Sequence, residues 1–445
     1  MFEPLYTAAE MGAAEERYPG YPGTAPELME RAGAAVAQEA LNAFPDARRF
    51  AVVCGGGANG QDGRIAAREL RAAGRDAVET SAVEQADVIV DALFGTGFHG
   101  EPRAEAAALI ERINAAPGAV VSVDLPSGID ASTGEAGSAA VRADRTVTFH
   151  ARKLGLAIAP GRFHAGEVAV VDIGLEAAET EAALVTPAIL GLVPRKQEHD
   201  DKYSAGSVLI VGGATGLTGA VCLAAEAAFR ADAGYVAVAV PEASLAVVET
   251  KLLEPVKLTW GAVFEAAEKA GAVAVGPGLG RSGEARALVG RLLAELEQPV
   301  VLDADALYEL EPGDWRPPAV ITPHAGELGR LLGESSDWVR AHRLEAARRA
   351  AERFACICLL KGADTIVAAP GAGTLVCPID APALATAGTG DVLTGILATF
   401  LAKGLDPRLA AAAGVTLHGL AARAVPFRTG VVARDVVAAL PSIRL

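Results

Sequence analysis

No window of the chain approaches the ~18 uninterrupted apolar residues that a bilayer-spanning helix needs, and the residues after Met1 lack the basic segment and apolar stretch of a secretory leader. A cytoplasmic address is expected. Cysteine is sparse: Cys54, Cys222, Cys356, Cys358 and Cys377 are odd in number, scattered and mostly inside apolar runs. A disulfide framework is therefore not expected, and they read as reduced core residues. Basic charge is also short, because 39 Lys and Arg against 55 Asp and Glu leave a formal net charge of −16. Such a chain repels phosphate backbones and anionic lipid headgroups, so no nucleic acid and no membrane partner is expected, and small molecules fit better.

What is abundant is apolar and glycine residues. Apolar types make up 51% of the sequence and charged ones 21%, which argues against long disordered regions. At 445 residues the chain exceeds what one core usually serves. The 49 glycines cluster directly after apolar runs, where α/β folds bind ligands. Apolar spacing from Leu28 to Leu41 predicts helices in the first ~45 residues. Short β-rich runs follow at Phe50–Cys54, Val88–Asp91, Ala119–Asp124 and Thr146–Phe149, with amphipathic segments at Arg64–Ala73 and Arg103–Asn114. That alternation predicts a parallel sheet covered by helices.

Between Gly174 and Ser204 the strand pattern lapses, ending in the charged stretch Arg195–Lys202, and the domain boundary is expected there. Strand-like runs resume at Val208–Gly213, Tyr235–Val240, Ala272–Gly276, Val300–Asp303, Val320–Ile321 and Ile357–Leu360. The two halves share no register, so two unlike α/β domains are expected, 1–190 and 200–445.

In the first half, the strand ending at Cys54 runs into Gly55-Gly56-Gly57-Ala58-Asn59-Gly60-Gln61-Asp62-Gly63, and a helix is expected to open at Arg64. Glycines allow close backbone approach, and a helix N-terminus offers free amides to phosphate. Alone, such a loop equally describes a tight turn. Two more strand ends carry polar loops, Asp91 into Gly95-Thr96-Gly97-Phe98-His99-Gly100 and Asp124 into Pro126-Ser127-Gly128. Three such loops on one sheet edge point to a ligand crevice. Asn59, Asp91 and Ser127 offer hard oxygens suited to a monovalent or divalent cation rather than zinc. Lys153 reads equally as a contact to an anionic ligand or as a solvated surface lysine.

The string Leu28-Met29-Glu30-Arg31-Ala32-Gly33, the loop after Cys54, Asp91–Gly97 and Val123–Gly128 resemble the NAD(P)H-hydrate epimerase family over about residues 1–180. The resemblance implies a Rossmann-like three-layer domain and a potassium ion on Asn59, Asp91 and Ser127. It implies cofactor contacts from Ala58, Asn59, Gly60, Gln61 and Asp62, from Gly95, Thr96, Gly97, Phe98, His99, Gly100 and Glu101, and from Asp124, which is also expected to be catalytic. Ala58 and Gln61 depart from the family's usual Asn and Gly.

In the second half, Ala385-Thr386-Ala387-Gly388-Thr389-Gly390-Asp391 leads into an apolar helix. Successive amides at such a turn form an anion nest aligned with the helix dipole, and a carboxylate at its rim can take a proton from a hydroxyl while the nest holds a phosphoryl group. A capping aspartate is the plainer reading. Lys361-Gly362-Ala363-Asp364-Thr365, Gly276-Pro277-Gly278-Leu279-Gly280 and Thr322-Pro323-His324-Ala325-Gly326-Glu327 each follow a strand. Asp303 and Asp305 read as aids to a magnesium ion or as helix caps, with the cap favoured for Asp305.

This ensemble resembles the ribokinase-like superfamily, and His324, where related kinases often carry Asn, points to its ADP-dependent NAD(P)H-hydrate dehydratase branch over about residues 200–440. The resemblance implies that Ala220, Gly278, His324 and Asp391 contact the hydrated cofactor, with Asp391 as catalytic base. Lys361, Gly362, Ala363, Asp364, Thr365 and Gly390 would contact the nucleotide. ADP or ATP, a magnesium ion, NADH-hydrate and NADPH-hydrate are the implied ligands, and a homo-oligomer is expected. A vitamin or sugar kinase with a non-catalytic N-terminal binding module remains the second reading.

Overall fold

The computed structural model describes residues 1–443. Two compact units form, one from Pro4–Ala183 with Arg340–His342, the other from Met1–Glu3, Leu184–Val339 and the chain from Arg343 onward.

The first unit holds a six-stranded sheet in the order Asp76–Glu79, Arg49–Cys54, Val88–Ala92, Ala119–Val123, Arg145–Phe149, Glu167–Val171. Every pairing is parallel. The chain runs outward from Arg49–Cys54 to Asp76–Glu79 and then returns to its other side, so a topological switch point lies between Arg49–Cys54 and Val88–Ala92, where parallel sheets open a ligand crevice. The two edge strands have no clear sequence signature, since only Ala77 is buried in the first and none of the second is fully buried.

A correction concerns the helix after Cys54. It spans Ala58–Ala72 with Gly57 as its N-cap, starting six residues before Arg64. Two of the glycines that suggested a loop, Gly60 and Gly63, are packing residues within this helix. A Cβ on Gly60 would sit 2.0 Å from the Gly55 carbonyl oxygen, and one on Gly63 would sit 2.5 Å from Ala92 Cβ. They let the helix press onto the sheet edge. Gly33 lets the helix Ala25–Ala43 pack closely on the helix Ala58–Ala72, because a Cβ there would meet Ile65 Cβ at 2.5 Å.

The second unit carries an eleven-stranded sheet whose parallel centre runs Ile357–Leu360, Ala319–Ile321, Val300–Leu302, Ala272–Val275, Ser207–Val211, Tyr235–Val240, Val256–Thr259. Asp364–Ala369 and Ala372–Pro378 add an antiparallel pair, with Ala182–Val185 and Phe2–Leu5 beyond them at the edge. The stretch 174–204 is thus not strandless. Ala182–Val185 joins this sheet, and the compact units divide between Ala183 and Leu184, inside the 174–204 stretch and before the expected 190–200 gap. No helix among the described residues is long and apolar enough to cross a membrane.

Candidate active sites

Sheet register builds the first site. Asp91 pairs with Ser122 across the central strands, and Val123 with Val147, so Asp124 and Thr148 fall side by side one step further on. Asp91 is fully buried. Its Oδ2 accepts from Ser122 Oγ and from the Ser127 amide, both at 2.9 Å, and its Oδ1 accepts from Ser127 Oγ at 2.6 Å. Burial pushes its carboxyl above the usual range, against the pull of these bonds. Asn59 Nδ2 donates to the Phe94 carbonyl at 2.9 Å, and the Phe94 amide donates to Ser127 Oγ at 2.9 Å. Asn59 and Ser127 therefore meet at Phe94, and Ser127 links them to Asp91.

Asp124 adopts φ of +67°, a left-handed conformation that costs an L-residue about 1 kcal/mol. The turn aims its carboxylate at Lys153, with Nζ to Oδ1 at 2.6 Å, while Thr148 Oγ1 donates to the same oxygen at 2.9 Å. Lys153 is 1% exposed, and Nζ also donates to Thr148 Oγ1 and to the Phe149 carbonyl. The solvated reading of this lysine is thereby overturned. Its signal was its place just after a buried strand, which does not reveal a partner.

Two further carboxyls face the pair. Asp62 is 8% exposed, and its Oδ1 is buried without a partner. Burial, then Asp124 and Glu15, push its carboxyl up to about 8 against the pull of Lys153. Glu15, at the end of the helix Ala8–Glu16, is raised by burial and then by Asp124. Neither electrostatic role was evident from sequence.

The remaining expected contacts occupy the rim. Ala58 and Gln61 are exposed, as are Gly97, His99, Gly100 and Glu101, while Gly95 and Thr96 are half-buried. Phe98 stacks on Phe94, His99 Nδ1 lies 2.9 Å from Asp130 Oδ2, and Glu101 accepts from the Ser138 amide at 2.7 Å. A Cβ on Gly95 would meet Asn59 Oδ1 at 3.0 Å, so its loop approaches that ligand closely.

In the second unit, Val275, Leu302 and Ile321 are adjacent in register, which lines up Gly276, Asp303 and Thr322 at the strand ends. A Cβ on Gly276, at φ +127°, would sit 1.7 Å from the Asp303 carbonyl oxygen, so glycine is required. Asp303 accepts from Thr322 Oγ1 at 2.7 Å, Lys361 Nζ at 2.8 Å and Thr394 Oγ1 at 2.8 Å. Burial works against the charge of Asp303 and Lys361 outweighs it, holding the carboxyl low. Burial likewise opposes the charge of Lys361, and Asp303 followed by Glu327 outweighs it, holding the ammonium high. The lysine is thus kept charged beside the nest.

Gly388, at φ +89°, caps the helix Thr389–Ala402 and offers no side chain to its first amides. Gly390 faces Lys361, since a Cβ there would lie 3.6 Å from Nζ. Asp391 stands in the first turn. Burial, then Asp303, raise its carboxyl to about 7 although Lys361 pulls it down. A carboxyl so poised is a base near neutrality.

His324 caps the helix Ala325–Leu332. Its Nδ1 accepts from the Gly326 amide at 2.9 Å, and its own amide donates to Glu327 Oε2 at 2.8 Å. The accepting Nδ1 places the ring proton on Nε2, and burial lowers the histidine's basicity. The ring is 57% exposed, and its Nε2 donor lies 3.4 Å from Glu327 Oε1. Gly278, at φ +57°, packs its backbone against Leu217 and lies near Ala220. Asp305 does not cap its own helical turn but accepts from the Gly280 amide and Arg281 Nε, both at 3.0 Å, fixing the Gly276–Gly280 loop. Asp364 points its carboxylate at Arg343 Nε, 2.9 Å away and buried. Gly362 and Thr365 exchange a turn bond, and the Ala363 carbonyl accepts from Ile379.

Residues 208–441 match the NAD(P)H-hydrate dehydratase family, and residues 25–85 and 71–155 match the YjeF-related protein N-terminus family. The bifunctional NAD(P)H-hydrate repair enzyme Nnr of Moorella thermoacetica is 36% identical over 94% of this chain and 91% of its own. The Escherichia coli K12 enzyme of that name is 35% identical over 94% and 89%. Among solved structures, the ADP/ATP-dependent NAD(P)H-hydrate dehydratase of Bacillus subtilis, co-crystallised with ATP and magnesium, superposes with a TM-score of 0.54 at 28% identity, covering 58% of this chain and 95% of that one.

Proposed function

The chain belongs to the bifunctional NAD(P)H-hydrate repair enzyme family, and on that premise we infer that its two units act in turn on one damaged cofactor. The first interconverts the epimers of NAD(P)H-hydrate, and the second dehydrates the S form with ADP, releasing AMP and phosphate.

The observation that carries the dehydratase assignment is Asp391 at the rim of an anion nest with Lys361 held charged beside it. Hydroxide is a poor leaving group, and phosphorylating the ring hydroxyl converts it into a good one. Asp391 takes the hydroxyl proton, the amides before it hold the phosphoryl group, and Lys361 neutralises developing charge. His324 Nε2–H donates to the hydrated cofactor, and the Gly276–Gly280 loop and Ala220 shape its seat. Lys361–Thr365 and Gly390 line the nucleotide. The carboxylates of Asp303 and Asp305 are committed to Lys361, Thr322 and Thr394 and to Gly280 and Arg281, so magnesium would be held by the nucleotide's phosphates and water. It would supply neutralisation of phosphate charge.

In the first unit Asp124, oriented by Lys153 and Thr148, contacts the hydrated ring, with residues 58–62 and 95–101 along the cofactor. Asp91 is buried with three neutral donors, and with Asn59 and Ser127 it makes an all-oxygen set that fits a potassium ion, which would supply fixed positive charge beneath the crevice. The homo-oligomer and the cytoplasmic address belong to the same reading.

Incubating the protein with NADH-hydrate and ADP and analysing products by mass spectrometry tests the assignment. AMP, phosphate and restored NADH should appear together in equal amounts. A phosphorylated product without NADH would return the chain to the small-molecule kinases.

A further inference from the structure

The epimerase crevice holds more carboxyl groups than its cations can balance. Asp124, Asp62 and Glu15 interact with one ammonium, that of Lys153. Other charges nearby are spent elsewhere: on the packed helix Ala25–Ala43, Glu30 pairs with Arg68, and Arg31 donates to the Ile173 carbonyl at 2.7 Å. Hydrogen bonds distribute the charge unequally. Asp124 takes the ammonium at 2.6 Å and the Thr148 hydroxyl at 2.9 Å. Asp62, on the first turns of the switch-point helix, has an oxygen enclosed by protein with no donor at all.

We propose that Asp62 is the catalytic acid of the epimerase, protonating the ring hydroxyl of the hydrated cofactor so that it leaves as water. This rests on the epimerase reading above and assigns its proton donor. The hydroxyl-bearing carbon is bonded to the ring nitrogen. When Asp62 delivers its proton, the carbon–oxygen bond breaks, the nitrogen lone pair forms a carbon–nitrogen double bond, and water departs. Water then adds to the opposite face, the double-bond electrons return to nitrogen, the surplus proton leaves to solvent, and the Asp62 carboxylate takes a proton back from solvent. Asp124, oriented by Lys153 and Thr148, stabilises the transient cation. Burial and the neighbouring carboxylates keep Asp62 protonated up to about pH 8, as a donor at neutral pH requires.

The test uses the full-length protein and NADH-hydrate in H₂¹⁸O without nucleotide, following epimer ratio by chromatography and label by mass spectrometry. The unaltered protein should incorporate ¹⁸O into the hydrate as it epimerises, well above the uncatalysed rate, and epimerisation should slow as pH rises through about 8. Asp62→Asn should lose both signals by ~10²-fold or more while ADP-dependent consumption of the accepted epimer is unchanged. Epimerisation by the unaltered protein without label would overturn the proposal, as would parental rates in Asp62→Asn. Failure of the unaltered protein to epimerise would instead overturn the epimerase reading itself.

Discussion

Lys153 Nζ and Asp124 Oδ1 lie 2.6 Å apart, with the lysine side chain 1% and the aspartate side chain 11% exposed. The pair is the electrostatic centre of the first unit, and removing one member leaves the other charge buried. Lys153→Met should destabilise that unit by ~3 kcal/mol in urea unfolding and abolish epimerisation. Adding Asp124→Asn should recover most of the stability and none of the activity, because the orphan charge disappears while the oriented carboxylate does not return.

Asp391 makes stability and catalysis oppose each other. Its folded-state carboxyl is raised to about 7 from an unfolded value near 3.9, so its contribution to stability is fully present below that value and is lost as pH rises through about 7. Dehydration should follow the opposite course, increasing through about 7 as the base ionises. Asp391→Asn should lose ~10²-fold in dehydration, and its melting temperature relative to the parent should rise from pH 4 to 7 and then level off. A pH-independent difference between the two proteins would place the Asp391 carboxyl outside the buried field of Asp303.

His324 has two separable duties, capping a helix and presenting Nε2–H. His324→Ala should cost ~1 kcal/mol in the second unit and lower dehydration. His324→Asn should keep the cap and still lower dehydration, because an amide is shorter and does not extend a donor to the same place. Thermal melts and turnover of the two variants separate these duties. Equal melts for Ala and Asn would remove the capping role.

Much of both sites was legible because it is written in backbone chemistry. Gly388 to Asp391, Gly276 to Gly280 and the Asp91 and Asp124 strand ends carry local signals that need no knowledge of the fold. What was hidden depends on topology or on packing. Lys153 acquires its meaning only when sheet register sets Thr148 beside Asp124. Gly60 and Gly63 resemble loop glycines, yet they are small because a helix lies on Gly55 and Ala92. Ala182–Val185 is four residues among Glu, Ala and Pro, and becomes a strand by joining a sheet formed mostly by residues beyond 200. Asp305 has the composition of a cap, but a loop from another strand end claims its oxygens.

The division of labour predicts complementation between two damaged proteins. Asp124 and Asp391 lie in different compact units, so each replacement should silence one activity and spare the other. A site that places one ring hydroxyl beside Asp391 puts the opposite epimer's hydroxyl on the far face, beyond proton-transfer reach. The Asp124→Asn protein given mixed epimers and ADP should therefore restore NADH in a fast phase and stall, continuing only at the rate of spontaneous epimerisation. The Asp391→Asn protein alone should restore almost none. Mixing the two should release the stall, because the hydrate is a free intermediate that one protein epimerises and the other dehydrates. Cofactor absorbance over time reads all three cases, and complete fast conversion by the Asp124→Asn protein alone would show that the second unit accepts both epimers.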